Sequence, residues 1–132
     1  MSAQEMGSLN IQARLRAAMA LAIKASRYSR YEIVGRMSNL VNAEITIHQL
    51  NSWTAESKDG HRPPGEYIPA FCVATESFDP LKVLVEPCSM FVLPGEDALG
   101  ADLAKKIQER DELNQQIREM KMFLKEARRR GK

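Results

Sequence analysis

The sequence is poor in the residues that mark a chemical site. It has two cysteines, Cys72 and Cys88, which do not form a Cys-x-x-Cys pair, and two histidines, His48 and His61. That set does not supply four ligands at zinc spacing, so neither a metal nor a cofactor is expected. Two distant cysteines give no disulfide framework, which makes a reducing cytoplasm the expected location. No apolar run approaches the roughly 20 residues that span a bilayer. Residues 1–8 lack the basic-then-apolar order of a signal peptide, and no membrane association is expected. There is no Gly-x-x-x-x-Gly-Lys phosphate loop, no His-Glu-x-x-His and no nucleophile elbow. The acids are scattered over charged helical stretches, so the reading is that the chain is not an enzyme. A one-sided charge is also missing, the net value being +2.

The 132 residues are 44% apolar, which suits one small domain with an appendage. The charge is local rather than global. From Ile11 to Met37 there are six basic residues (Arg14, Arg16, Lys24, Arg27, Arg30 and Arg36) against one acid, Glu32. Residues 127–132 add four more bases and no acid. Local basic surface, not the total, attracts phosphate.

Ile11 to Ala25 reads as a helix rich in Ala, Leu, Met and Arg, with Ile11, Leu15, Met19, Leu21 and Ile23 as its apolar positions. A second helix is expected from Arg30 to Leu40 or Val41, with Ile33, Val34 and Met37 facing inward. Gly35 costs this helix roughly 1 kcal/mol of propensity, and close approach of a neighbouring helix would be a reason to keep it. A third helix runs from Ile47 to about Ala55. Glu56 to Glu66 is a loop by its tandem Pro and two Gly, made basic by Lys58, His61 and Arg62. Tyr67 to Thr75 is a fourth helix with Pro69 in its first turn, and Cys72 is expected in its core. Asp79-Pro80, as N-cap and first helical residue, start a short fifth helix. Cys88 to Leu93 reads as a short strand that must find a partner. After Pro94-Gly95 comes a helix of about 34 residues.

Residues 29–53 carry the strongest pattern. Ser29 and Glu32 sit three apart, as do Thr46 and Gln49, and each pair makes a capping box. Two short helices with fixed starts, back to back, are the material of a helix-turn-helix. The turn, Asn39 to Ile45, is longer than usual and leaves room for an extra turn on the second helix. On the third helix Ile47, Leu50 and Trp53 share one face. Thr46, His48, Gln49 and Ser52 point elsewhere and are side chains of the kind that reach base edges in a major groove. Arg27, Arg30, Lys58 and Arg62 are the candidates for phosphate contacts.

Roughly Leu9 to Glu86 resembles the lambda-repressor-like class of DNA-binding domains, carried by these two capped helices within five short ones. The stretches Ser29 to Met37 and Leu50 to Thr54 also resemble small proteins of phages and prophages, including Mu-like phages. The resemblance implies an all-α fold, a five-helix lambda-repressor-like helix-turn-helix domain, and the residues beyond it read as a short extended segment and a long C-terminal helix. It implies double-stranded DNA as partner, transcriptional regulation as function, and the cytoplasm of a bacterial host as location.

The organisation expected is a DNA-binding domain over 8–86, a linker or short strand over 87–95, and an oligomerisation helix over 96–130. In a heptad reading of that helix, Leu103, Arg110, Ile117 and Leu124 take one core position, and Leu99, Lys106, Leu113 and Met120 the other. Leu99, Leu103, Leu113, Ile117, Met120 and Leu124 are therefore the candidates for a homodimeric coiled coil, with a helix folded back on the domain as the alternative. Two other functions fit the pattern: a packaging component resembling a phage small terminase subunit, and a helical adaptor that touches no DNA.

Overall fold

The computed structural model describes residues 5–58 and 60–131, Lys58 by its backbone only. Among these residues six α-helices follow one another: α1 (Gln12–Ala25), α2 (Arg30–Val41), α3 (Ile47–Thr54), α4 (Ile68–Thr75), α5 (Asp79–Val85) and α6 (Gly95–Arg130). No strand occurs among the described residues. The chain divides into two compact units, the first ending at Val92 and the second starting at Leu93.

Both capping boxes close. Ser29 Oγ accepts from the Glu32 amide at 3.1 Å, and Glu32 Oε1 accepts from the Ser29 amide at 3.1 Å. Thr46 Oγ1 accepts from the Gln49 amide at 3.2 Å, and Gln49 Oε1 from the Thr46 amide at 2.8 Å. Each box satisfies amides that a helix start otherwise leaves without a partner.

The turn between α2 and α3 is held from inside. Asn42 ends α2 in the left-handed region, at φ 51°, where Asn is among the few tolerated side chains. Ser38 Oγ donates to Val34 O at 2.7 Å and accepts from the Ile45 amide at 2.9 Å. That bond folds the turn back so that Ile45 is buried. The additional residues of this turn thus make a cap and a clamp.

In the first unit α1 packs on α3 and α5, α2 on α3 and α4, and α4 on α5. Met19, Ile33, Met37, Leu50, Ile68 and Phe71 are the large residues shielded at its centre. On α2 the inward stripe is Ile33, Val34 and Met37, as the periodicity indicates. On α1 it is Ala18, Met19, Ala22 and Ile23, whereas Leu21 is exposed. Alanines let the helices approach closely, so the buried face is the one with small residues. Gly35 is on the exposed side of α2, and a Cβ there would meet nothing. Among the described residues, no helix therefore makes the close approach that would be a reason to keep Gly35.

Two local readings change. Phe78, not Asp79, is the N-cap of α5, and Asp79 lies in the first turn beside Pro80. The strand expected at Cys88 to Leu93 does not form. A single 3-10 turn (Glu86–Cys88) ends at Ser89 in the left-handed region, and the next residues join no ladder. With no second strand among the described residues, the backbone has nothing there to make a ladder against.

The second unit is α6, 36 residues long and hence about 54 Å at 1.5 Å per residue. None of its residues is buried. Among the described residues no helix is long and apolar enough to cross a membrane.

Candidate nucleic-acid interface

Leu50 and Trp53 turn α3 toward the core and Ile47 is half-buried beside them. The Trp53 and Tyr67 rings lie 6.3 Å apart, tilted by 48°. Trp53 is therefore a core residue, and its burial fixes the rotation of α3. The opposite side presents His48, Gln49 and Asn51 to solvent, with Ser52 half-exposed.

This polar side does not stand alone. His48, Gln49 and Ser52 line one open groove with Gly60, His61 and Arg62, with Trp53 also in its wall. The groove encloses about 440 Å³. Arg62 is oriented from across the chain, its Nη2 donating to Gln12 Oε1 at 2.7 Å. A second groove, of about 280 Å³, runs from the same loop along α1 and is lined by Gln12, Arg16, His61 and Arg62 among others. His61 is the residue that the local pattern did not single out as a site. Both histidines of the chain meet here, 13 positions apart, and only the packing of the loop on α1 and α3 reveals it.

The capping box restricts two of the candidate base readers. Gln49 Oε1 is held by the Thr46 amide, and Thr46 Oγ1 by the Gln49 amide. What Gln49 still offers outward is its NH₂ group, a donor only, so it cannot grip an adenine edge, which needs donor and acceptor together. His48 and Ser52 have no such commitment to the cap and are the freer pair.

The phosphate candidates separate. Arg62 lies in the groove. Arg30 is half-buried and ties α2 to α3, with Nη1 donating to Asn51 Oδ1 at 2.9 Å and to Thr54 Oγ1 at 3.4 Å. Its remaining N–H groups leave it able to serve a second acceptor. Arg27 pairs with Glu76 at 2.7 Å, which holds its guanidinium above the usual arginine value through that hydrogen bond and charge. It belongs to a cluster away from the groove. There Arg36 stacks on Tyr28 at 4.2 Å and donates to Ala74 O and Val73 O at the end of α4. The Lys58 side chain lies outside the described residues.

Cys72 is buried in α4, and burial pushes its thiol pKa up, so it stays protonated and unreactive. Among the described residues no group of three His, Cys, Asp or Glu is placed to hold a metal ion.

The six candidate oligomerisation residues are all exposed, from 41% at Ile117 to 72% at Leu99. Comparisons with protein-family models, with characterised proteins and with solved structures found no match to this chain.

Proposed function

We propose that this protein binds double-stranded DNA in a sequence-recognising manner, as a dimeric transcriptional regulator of a phage or prophage. The observation that carries the reading is the convergence of the polar side of α3 with His61 and Arg62 on one open groove. α3 is eight residues long, and a helix with its side chains is about 10–12 Å across, which a major groove about 12 Å wide admits. His48 and Ser52 reach base edges, and Gln49 contributes a donor. Arg62 and Arg30 take phosphates on either side. Arg27, neutralised by Glu76, drops to a supporting place in this reading.

Selection of bound duplexes from a random pool, with the mass of the protein measured on the same sample, tests it. A preferred sequence bound by a dimer is the expected result. A ring of many subunits would favour the packaging reading, and no salt-dependent duplex binding at all would sink both. Arg62→Ala should weaken binding to every duplex alike and lower the salt slope by about one. His48→Ala and Ser52→Ala should keep the fold, at a cost within about 0.5 kcal/mol. They should relax preference at particular base pairs, each worth up to about 1–3 kcal/mol.

A further inference from the structure

The charges of α6 are segregated along its length. Residues 95–112 carry six acids against three bases, and residues 113–131 carry six bases against two acids. Part of this suits the helix itself, because acids stabilise a helix start and bases its end. That effect falls off within the first and last turn. It accounts for Glu96, Asp97 and Arg128 to Arg130, which are the end residues. It does not account for Glu109, Asp111 and Glu112 on one side of the midpoint, or for Arg118, Lys121 and Lys125 on the other.

The apolar stripe also has a direction. Leu99 and Leu103 begin it and Leu113, Ile117, Met120 and Leu124 continue it, at spacings that keep a seven-residue repeat. On a helix of 3.6 residues per turn such a stripe drifts, and a partner helix follows it by left-handed supercoiling. Two cations, Lys106 and Arg110, interrupt it on successive layers.

We propose that α6 pairs with α6 of a second copy of this chain in antiparallel orientation, with Leu99 facing Leu124 of the second copy. This deepens the dimer reading above and rests on its premise that α6 self-associates. Charge complementarity selects the orientation. A parallel pair sets the acidic half against the acidic half and the basic against the basic. It also faces Lys106 with Lys106 and Arg110 with Arg110 inside the seam, where like charges brought together are costly even though each has an acid on its own helix, Asp102 and Asp111. An antiparallel pair sets the end segment with Glu96, Asp97 and Asp102 against the segment of the second copy with Lys121, Lys125 and Arg128, at both ends of the pair, and Asp111 and Glu112 meet like charges at its midpoint. In this register Leu103 faces Met120 of the second copy, Lys106 faces Ile117, and Arg110 faces Leu113. Each cation then lays its aliphatic stem on an apolar side chain and keeps its charged end in water. The two first units are joined to opposite ends of the pair.

Disulfide capture tests the orientation on the full chain. Cys88 is exposed and is replaced by Ser, while Cys72 is buried and stays. Leu99→Cys and Leu124→Cys are made in separate chains, one carrying a mass tag, and oxidised alone and mixed. The mixture should give a disulfide-linked dimer of one chain of each kind, at about tenfold or more over either chain alone, because only opposed Cβ atoms can be bridged. Efficient homodimer capture of each chain alone would show a parallel pair and overturn the proposal. Sedimentation of the unaltered chain guards against a substitution that itself prevents pairing. A dimer whose dissociation constant rises with salt is expected, and a monomer would overturn the proposal. No DNA is present in either measurement, so a negative result here leaves salt-dependent duplex binding by the first unit as a separate observation.

Discussion

The two units treat the same kinds of side chain differently. In the first, Met19, Ile33, Met37, Leu50 and Phe71 lose all contact with water. In α6, Leu99, Leu103, Leu113 and Met120 are more than half exposed. The first unit's helices are short, eight residues in α3 and α4, and helices of that length are not stable alone in water. They exist because they share a core. α6 is long enough to be helical by local terms, with Lys106 paired to Asp102 at 3.1 Å and Arg130 to Glu126 at 2.9 Å, each pair adding about 0.2–0.5 kcal/mol. Position therefore matters in different ways. A change in the first unit acts on folding, and a change on the stripe of α6 acts on association.

Trp53→Ala gives the largest expected effect. It deletes a buried side chain that also orients α3, and should cost about 3–5 kcal/mol. Ile117→Ala should leave the thermal transition of the first unit where it is and weaken self-association instead. Equal shifts in that transition for the two variants would erase the distinction between the regions. Ser38→Ala comes next. It strands the Ile45 amide inside the turn, and an unsatisfied buried donor costs about 1–3 kcal/mol, read as a lower denaturant midpoint at unchanged slope. Gly35→Ala should act in the opposite direction. The site is helical, exposed and open, so the change should raise stability by about 0.4–1 kcal/mol. A loss of stability there would mean that a neighbour comes closer to α2 than the open surface indicates.

What the sequence disclosed follows the range of the interaction. Both capping boxes were legible because each closes within four residues, and so were the starts of α2 and α3. The inward faces of α2 and α3 followed from periodicity. The face of α1 did not, because its alanines leave two stripes of similar hydrophobicity and only the fit to α5 and α3 decides between Leu21 and Ala22. The apolar run at Cys88 to Leu93 has no helical period and resembles a strand, yet a strand needs a partner that local pattern cannot supply. At the candidate interface, α3's exposed residues were readable from its apolar ones. The arrival of His61 and Arg62 beside them was not, since Arg62 is held by Gln12, 50 positions away. The pairing of Arg27 with Glu76 was hidden for the same reason.

The stretch that failed to become a strand has a use at the bench. Met90, Phe91 and Leu93 are exposed, Phe91 to 80%, and the backbone around them belongs to no helix or ladder. Exposed backbone of this kind is where proteases nick a folded chain. A chymotrypsin-type enzyme, which cuts after large aromatic residues, should therefore cleave first after Phe91. Two fragments are expected by mass spectrometry, one ending at Phe91 and one starting at Val92. A first cut in the 56–64 loop instead would place the weakest point inside the first unit. If the cut comes at Phe91, a brief digestion delivers the DNA-binding candidate and the pairing candidate as separate samples.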